Sequence, residues 1–298
     1  MNILLIVSPS SGGGRAAKAM PAVIRALRAN GWQVSTHVTQ DLDDAETIAG
    51  QASADTVVAA LGGDGLLSRV AAGTRTSHTV FAPLPGGRGN DFCAKLGAPA
   101  DPVAAASALV GATEHLVDCA DLFGHDLFGH KLDGRTVLGV VSCGFDSEAT
   151  RRANATKLFR GHLVYAWAGL RTLATWHPAA FTVTVDGAAR AFRGYSVAVG
   201  NSGRYGGGMK VAPDALMDDG LLDIVTIGDA SKRLFFSTLP KLFAGTHVDG
   251  AIVQAQQGRE ITLDAENPAE VYADGEPAGT VPCTIRVVPE ALRVLGGY

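Results

Sequence analysis

With 298 residues, the chain is long enough for two domains of ordinary size, each with its own hydrophobic core. The formal net charge of −4 argues against a general nucleic-acid binder, because such proteins need a basic field to displace counterions from phosphates. The 37 glycines follow no collagen-like period, so we expect them in loops.

Cysteine usage and apolar segments indicate the compartment. The apolar start Ile3–Val7 has no basic region before it, so it is typical of a first strand rather than of a signal peptide. No apolar run approaches the ~20 residues that span a bilayer, so we expect no membrane crossing. The cysteines form no CxxC pair, which fits a reducing cytosol without a zinc site or a disulfide framework. They are Cys93, Cys119, Cys143 and Cys283.

Residues 1–122 alternate between continuously apolar strands and helices. This pattern predicts an open α/β domain whose mostly parallel sheet is covered on both faces. The predicted strands are Asn2–Val7, Gln33–Val38, Thr56–Leu61 and Thr79–Leu84. The predicted helices run from about Arg15 to Asn30, from Asp43 to Gln51 and from Leu66 to Ala72, with helical patches from Asp91 to Val110.

Residues 123–298 show short runs with two-residue alternation, separated by Asp-Gly turns. The pattern predicts a β-rich second domain, interrupted by amphipathic segments at Ser147–Trp176 and Ser231–Leu242. No low-complexity linker is present, which favours a cleft rather than a tether near residue 122. The predicted strands are Leu116–Leu122 at the boundary, then Val137–Cys143, Phe181–Val185, Phe192–Val199, Leu222–Ile227, Ala251–Ala255, Glu260–Leu263, Val271–Ala273 and Thr284–Val288.

A glycine-rich turn, Gly62-Gly63-Asp64-Gly65, follows the third strand. Glycines let the backbone approach a phosphate closely, and the helix that follows offers unpaired N–H groups and a positive dipole end. Asp64 would repel a bare polyphosphate, so its presence fits either a metal that neutralises the pair or a role as proton acceptor. The structural alternative is a tight glycine turn with Asp64 as a helix cap.

A second loop of this kind, residues 85–91 (Pro-Gly-Gly-Arg-Gly-Asn-Asp), follows the fourth strand. Loops on successive strand ends meet at the carboxyl edge of the sheet, where open α/β domains bind ligands. Arg88 could pair with phosphate, Asn90 is expected to cap a helix, and Asp91 either holds metal-bound water or caps as well. A third loop, residues 8–15, could add N–H and hydroxyl contacts. None of the loops matches GxxxxGK[ST] or GxGxxG.

Three further segments complete a specific resemblance. They are residues 201–209 (Asn-Ser-Gly-Arg-Tyr-Gly-Gly-Gly-Met), 219–223 (Asp-Gly-Leu-Leu-Asp) and 274–276 (Asp-Gly-Glu). In their order and spacing, the motifs resemble the diacylglycerol kinase catalytic family. That family includes bacterial soluble diacylglycerol kinases, YegS-type lipid kinases, and sphingosine and ceramide kinases, with NAD kinases as more distant relatives. The resemblance covers nearly the whole chain. It implies an α/β domain of residues 1–122 and a β-sandwich domain of residues 123–298, with the last residues returning to the first domain and the active site in the cleft between them.

The resemblance also implies an ATP- and Mg²⁺-dependent kinase. The positions carried over for nucleotide binding are Ser8, Ser10, Ser11, Gly12, Gly62, Gly63, Asp64, Gly65, Leu66, Leu67, Ser68, Gly87, Arg88, Gly89, Asn90 and Asp91. A structural Mg²⁺ is expected at the Asp219 side chain and the carbonyls of Leu216 and Leu221. The catalytic candidates are Asp274, Glu276 and Asp64, with Asp274 favoured as base and Glu276 as helping with the metal.

The chain departs from the family in the phosphate loops. Ser8-Pro9 stands where many members have Asn-Pro, Gly13 where some have lysine, and Arg88 where threonine is common. The resemblance therefore predicts the fold more closely than it predicts the phosphate contacts. From the residues alone, 274–276 would be an ordinary hairpin turn. The carboxylate-rich turn at 218–223 either surrounds a cation or is a hydrated surface turn.

The implied acceptor is a lipid hydroxyl, most simply that of diacylglycerol, which would give phosphatidic acid. The segments Lys157–Trp176 and Ser231–Phe243 mix cations with large apolar groups, as a membrane-interface surface does, although such helices can equally pack on the β domain. We therefore expect a cytoplasmic protein that contacts the inner face of the membrane, without a nucleic-acid partner, and leave a homodimer open. The alternatives are a kinase of a sphingoid base, of another lipid alcohol or of a soluble acceptor such as NAD or a sugar phosphate, or a nucleotide-binding regulator without turnover.

Overall fold

The structure is a computed structural model that describes residues 1–155, 162–267 and 269–296. Contacts divide the chain into two compact units. Unit 1 comprises Met1–Cys119 together with Pro289–Tyr298, and unit 2 comprises Ala120–Val288. The last residues of the chain therefore belong to the same unit as the first.

Unit 1 is an open α/β unit with a parallel sheet. In strand order, β2 pairs with β1, β1 with β3 and β3 with β4, all parallel, and β4 pairs in parallel with the chain's last strand through Val80 with Arg293 and Phe81 with Val294. The strands are β1 (Asn2–Val7), β2 (Gln33–Val38), β3 (Thr56–Gly62) and β4 (Val80–Pro85). The helices are α1 (Arg15–Ala29), α2 (Leu42–Gly50), α3 (Asp64–Ser77), α4 (Asp91–Lys95) and α5 (Pro102–Ala108).

The core of unit 1 includes alternate residues of β1, the first strand. Ile3, Leu5 and Val7 pack in one cluster with Val23 and Leu27 of α1. The predicted α/β architecture is confirmed, and the main difference lies in α3, which extends well beyond the predicted Leu66–Ala72. Its interior Gly73 lowers helix propensity, yet the helix continues because that glycine lets α3 approach α2 closely.

Unit 2 is built mainly from antiparallel strands. Its strands are β5 (Thr113–His125), β6 (Lys131–Val137), β7 (Val140–Gly144), β8 (Ala179–Val185), β9 (Ala188–Gly200), β10 (Arg204–Tyr205), β11 (Met209–Lys210), β12 (Leu222–Gly228), β13 (Val253–Gly258), β14 (Glu260–Ala265), β15 (Glu270–Ala273) and β16 (Glu276–Gly296). β5 begins in unit 1, and β16 ends there. The helices are α6 (Phe145–Ala155), α7 (His162–Thr175) and α8 (Lys232–Ala244).

The strand pairing in unit 2 returns on itself. β8 pairs with β9, β9 with β7, β7 with β15, β15 with β16, β16 with β14, and β14 again with β8. Buried side chains from these strands, including Val141, Val183, Val197, Ile261 and Ile285, form one core cluster. The β-sandwich class expected for the second part of the chain is confirmed.

Two strand predictions in unit 2 are wrong in detail. Val137–Cys143 is not one strand, because Leu138 and Gly139 donate their N–H groups to the Asp274 carboxylate instead of to a neighbouring strand. Thr284–Val288 is only the middle of the 21-residue β16. The short hairpin of β10 and β11 has too few apolar residues for alternation to reveal it.

The amphipathic segments form helices where the structure describes them. Lys157, Leu158, Phe159 and Arg160, part of the predicted membrane-facing segment, lie outside the described residues. Phe235 of α8 is fully buried against Tyr195 and Phe145, with ring centroids 4.0 and 4.7 Å away, so this helix does pack on the β layer. Among the described helices, none has the length and apolar character needed to cross a membrane.

The contact between α2 and α3 gives a stability prediction. A Cβ on Gly73 would lie 2.4 Å from the Glu46 carbonyl oxygen and 2.8 Å from the Gly50 nitrogen, backbone atoms that cannot yield locally. Gly73→Ala should therefore lower the free energy of unfolding by about 1–3 kcal/mol. Gly169 in α7 is a matched control, because nothing lies within 4 Å of its Cβ position, and Gly169→Ala should be neutral or stabilise by up to ~1 kcal/mol. Chemical denaturation of both variants tests this, and equal stabilities would contradict it.

Candidate active site

The first glycine loop follows β1 and leads into α1. Gly12, Gly13 and Gly14 have φ values of 60°, 70° and 88°, a left-handed run that side chains with a Cβ rarely adopt. A Cβ on Gly12 would also lie 2.6 Å from the carbonyl oxygen of Gly86. Ser8 is buried, and its hydroxyl lies 3.4 Å from that of Ser10. The loop thus brings its backbone next to the loop after β4, where the Arg15 side chain also donates to the Gly87 carbonyl at 3.4 Å.

The loops after β3 and β4 touch backbone to backbone. Gly86 donates its N–H to the Gly62 carbonyl at 2.8 Å, and a Cβ on Gly87 would lie 2.3 Å from the Cα of Gly63. The N–H of Gly63 reaches the hydroxyl oxygen of Ser11 at 3.4 Å. The three loops predicted from separate parts of the sequence therefore converge at the carboxyl ends of β1, β3 and β4.

Asp64 links two of these loops. It is the first residue of α3, and its Oδ1 accepts the N–H of Phe92 at 3.1 Å, in the first turn of α4. Burial raises the pKa of the Asp64 carboxyl, while the N–H groups of Phe92, Asp91 and Asn90 act in the opposite direction. Asp64 is thus a helix cap, as the structural alternative proposed, but it caps α4 rather than its own helix.

The side chain of Asn90 closes its loop instead of capping a helix. Its Oδ1 accepts the N–H of Gly87 at 2.7 Å, and no side-chain bond caps α4 from this position. The expected capping role of Asn90 is therefore wrong, and the reason is its left-handed backbone, with φ of 57°, which turns the amide back towards Gly87. Arg88 is exposed, Gly89 is half-buried, and Asp91 is only 4% exposed.

The positions after Asp64 differ in what they offer a ligand. Leu66, Leu67 and Ser68 are buried, so their side chains do not face an incoming molecule. The N–H of Leu67 already bonds to the Gly63 carbonyl, which makes it the first intrahelical bond of α3. The orphan N–H groups at this helix start are therefore those of Asp64, Gly65 and Leu66. An anion at this point would be favoured by these donors and by the helix dipole.

Gly62, Gly63, Gly86 and Gly87 let the loops touch, because a Cβ on any of them would lie within 3.3 Å of a neighbouring atom. A glycine surface of this kind lets a polyphosphate approach the backbone closely. The acidic residues Asp64 and Asp91 supply the hard oxygen ligands that Mg²⁺ prefers. These two carboxyl groups lie at adjacent helix starts, since α3 begins at Asp64 and α4 at Asp91. The donor set suits a metal-bound triphosphate better than a free one.

In unit 2, Asp274 is bound by backbone. It has a φ of 51°, and its carboxylate accepts the N–H groups of Leu138, Gly139 and Val140 at 3.0, 2.7 and 3.2 Å. The N–H of Asp274 in turn donates to the carbonyl of Val140 at 3.1 Å. A carboxylate has about four lone-pair sites, so most of its accepting capacity is already used.

Glu276, two residues further on, differs in exposure and bonding. It begins β16, its side chain is exposed, and no hydrogen bond engages its carboxylate within the described ranges. Arg135 lies close by and donates to the carbonyl of Pro277 at 3.0 Å. The structure thus gives the two acids of the Asp-Gly-Glu turn different environments.

The predicted structural metal site is a solvent-exposed turn. Asp219 accepts the N–H of Leu221 at 3.0 Å through Oδ1, and Leu216 is 54% exposed. In the part of the chain that the structure describes, no three His, Cys, Asp or Glu side chains lie close enough to hold one metal ion. A cation here would therefore rely on one carboxylate and on carbonyl oxygens, which is the donor set that the resemblance implied.

The sequence did not indicate one further acidic residue, Asp146. Asp146 in the first turn of α6 is 8% exposed, and burial raises its pKa to about 6, although hydrogen bonds from the side chains of Tyr205 and Ser196 oppose this shift. These bonds connect α6 to β9, through Ser196, and to the hairpin of β10 and β11, through Tyr205. The only signal in the sequence was an acid directly after the buried strand and Phe145.

Two family models match the chain. The model of the diacylglycerol kinase catalytic domain matches residues 2–122, and that of the YegS C-terminal NAD kinase beta sandwich-like domain matches residues 139–296. The two matches together span the α/β unit and the β-sandwich described above.

Curated relatives agree with these matches. A "Diacylglycerol kinase" of Mycobacterium tuberculosis (strain CDC 1551 / Oshkosh) is 33% identical, with 98% of this chain and 94% of the relative covered. A "Probable lipid kinase YegS-like" protein of Xanthomonas axonopodis pv. citri (strain 306) is 32% identical, with 90% and 88% covered.

Solved structures from Bacillus anthracis str. Sterne share the fold. Two of them cover 99% of this chain with TM-scores of 0.79 and 0.71, at 24% and 20% identity and with 95% and 96% of their own chains covered. The second is described as a diacylglycerol kinase. With the family models and the curated relatives, these similarities show that the chain belongs to the diacylglycerol kinase-like family of lipid kinases.

Proposed function

We propose that this protein transfers the γ-phosphate of ATP, with Mg²⁺, to the hydroxyl of a lipid, and that the lipid is diacylglycerol, which gives phosphatidic acid. The observation that carries the proposal is the backbone contact of the glycine loops after β3 and β4 beside the loop after β1. Membership of a kinase family implies nucleotide use, and this cradle is where the chain offers glycines and orphan N–H groups together.

The nucleotide is proposed to contact unit 1 through backbone. The loop of Ser8, Ser10, Ser11 and Gly12 and the helix start at Asp64 supply N–H and hydroxyl donors, and Arg88 is exposed and available to pair with phosphate oxygens. Gly13 leaves this loop without the lysine that some family members have. We propose that backbone N–H groups carry much of the phosphate recognition in this loop.

Asp64 and Asp91 are proposed to hold Mg²⁺, which would spread the charge that develops on the transferred phosphoryl group. Asp64 keeps its bond to the Phe92 N–H through Oδ1, and its other oxygen, Oδ2, is the one proposed to turn towards the cation. Burial raises the pKa of Asp64 and so disfavours its charged form, and a bound cation would stabilise that charged form.

We assign the acceptance of the hydroxyl proton to Glu276 and a positioning role to Asp274, which reverses the preference drawn from the sequence. Three backbone N–H groups occupy the Asp274 carboxylate, so taking a proton there would break bonds that hold the turn between β6 and β7. The exposed Glu276 can approach a hydroxyl without such a cost.

The choice of a lipid alcohol rests on the family and on the names of relatives, one a diacylglycerol kinase and one a probable lipid kinase. We further propose that the protein acts at the inner face of the membrane by peripheral contact.

The proposed reaction is tested with a panel of lipid and soluble alcohols, offered in mixed micelles with radiolabelled ATP. Phosphatidic acid as the main product supports the proposal. Turnover of only a soluble acceptor such as NAD, or ATP binding without turnover, contradicts it.

Asp64 gives a prediction that separates its capping role from its metal role. Asparagine is as good a helix cap as aspartate, so Asp64→Asn should keep the bond to the Phe92 N–H and the melting temperature. The loss of charge should weaken Mg²⁺ binding and lower kcat by roughly a hundredfold or more. Turnover with Mg²⁺ titration and a thermal melt measure both effects. Turnover close to that of the unaltered enzyme would leave Asp64 with a structural role alone.

The Asp-Gly-Glu turn gives a second prediction. Glu276→Gln should lower kcat by roughly 10²–10⁴ without changing the melting temperature, because the residue is exposed and acts by accepting a proton. Asp274→Asn replaces one acceptor oxygen by a donor facing N–H groups, and should cost about 1–3 kcal/mol of stability. Denaturation curves and single-turnover rates decide the matter. A stable Asp274→Asn protein that has lost the chemical step would restore Asp274 as the base.

The turn at Asp219 gives a third prediction. If this residue holds a structural Mg²⁺, the melting temperature should rise with Mg²⁺ concentration, because a ligand that binds the folded state stabilises it. Asp219→Asn keeps an acceptor for the Leu221 N–H and should abolish this rise, whereas Asp218→Asn, at the exposed neighbouring position, should keep it. Thermal melts across a Mg²⁺ series show the difference. An equal response in both variants rules out the metal at Asp219.

A further inference from the structure

Helix α8 presents two contrasting sides. Phe235, Thr238 and Leu242, spaced i, i+3 and i+7, are buried and face the aromatic cluster of unit 2. Both helix ends are capped. At the start, the Ser231 hydroxyl accepts the N–H of Leu234. At the end, Gly245, with φ of 81°, donates its N–H to the Lys241 carbonyl at 2.8 Å. Packing and both caps therefore determine which residues of α8 face outward.

The outward side carries an apolar stripe, defined here as Phe236, Pro240 and Phe243. Their spacing of i, i+4 and i+7 places them on one side of the helix. Phe236 is 47% exposed and Phe243 is 51% exposed, and Pro240 is exposed between them. Two large aromatic groups held in water on a firmly capped helix cost free energy unless something covers them in function.

The charge on α8 indicates what covers the stripe. The helix carries Lys232, Arg233 and Lys241 and no carboxylate, although the whole chain has a net charge of −4. Lys232 donates to the Ala174 carbonyl at 2.9 Å, whereas the exposed Arg233 lies at the end of the stripe. Exposed aromatic rings flanked by cations on one helix match the interface of an anionic bilayer.

We propose that α8 is the membrane-docking element of this protein, with the stripe Phe236, Pro240 and Phe243 at the headgroup boundary of an anionic lipid bilayer and Arg233 paired with lipid phosphate. This proposal deepens the proposed function and rests on its lipid substrate. Docking through two aromatic rings and a few cations is weak and reversible, which suits an enzyme that must release a lipid product.

Co-sedimentation with vesicles of equal parts phosphatidylcholine and phosphatidylglycerol tests the proposal. The double variant Phe236→Ala/Phe243→Ala should lower the partition coefficient by roughly tenfold or more, because it removes most of the apolar area of the stripe. Arg233→Glu should also weaken binding, and added salt should narrow its difference from the unaltered protein. The melting temperature of the double variant should not change, because both rings are exposed.

Leu234→Ala is the matched control. Leu234 is 47% exposed on the same helix but, two residues before Phe236, lies on a different side. Binding like that of the unaltered protein is expected for this variant. Vesicle binding by the double variant at the unaltered level, equal loss in Leu234→Ala, or no preference for phosphatidylglycerol over pure phosphatidylcholine would overturn the docking role.

Turnover separates the two proposals. With a short-chain diacylglycerol dissolved as monomers, the double variant should match the unaltered enzyme, while its rate on vesicle-borne diacylglycerol should fall with the partition coefficient. An enzyme that binds vesicles but phosphorylates no lipid alcohol contradicts the proposed function alone. Equal vesicle rates in both proteins contradict the docking role alone.

Discussion

The close approach of Gly63 to Gly87 is the constraint on which the rest of the site depends. A Cβ on Gly87 would lie 2.3 Å from the Cα of Gly63, so no other residue can stand there without separating the loops. This contact brings together the loops that lead into α3 and α4, whose first residues are Asp64 and Asp91. Backbone packing therefore determines the electrostatics, because the acids lie where the glycines allow the two helices to begin.

Two acids that are candidates for the chemistry also hold backbone in place. Asp64 binds the N–H of Phe92, and Asp274 binds three N–H groups around Gly139. In each case the carboxylate joins segments far apart in sequence and orders a turn within its own unit. Substitution of either residue by alanine would remove the ordering contacts and the charge together. Substitution by an amide, or by the other carboxylate residue, measures the two effects separately.

The sequence predicted the α/β unit well because apolar strands and intervening helices differ sharply in period, and parallel strand ends bring their loops together by topology. It failed where an interaction depends on distant residues. The break at Leu138 and Gly139 depends on a carboxylate more than a hundred positions later, and the side chain of Asn90 turns back because of a left-handed backbone that no propensity reveals. Residues 274–276 have no local signal beyond a turn, so their importance came from resemblance alone.

The course of β16 has a consequence for how the protein is made. The parallel sheet of unit 1 is completed by residues near Arg293 and Val294, which pair with β4, whereas β4 itself ends at Pro85. During synthesis the ribosome must therefore add the whole of unit 2 before the last strand of unit 1 emerges. Until then the edge of β4 is open to pairing with other chains, and chaperones that shield nascent edges would have most to protect in this interval.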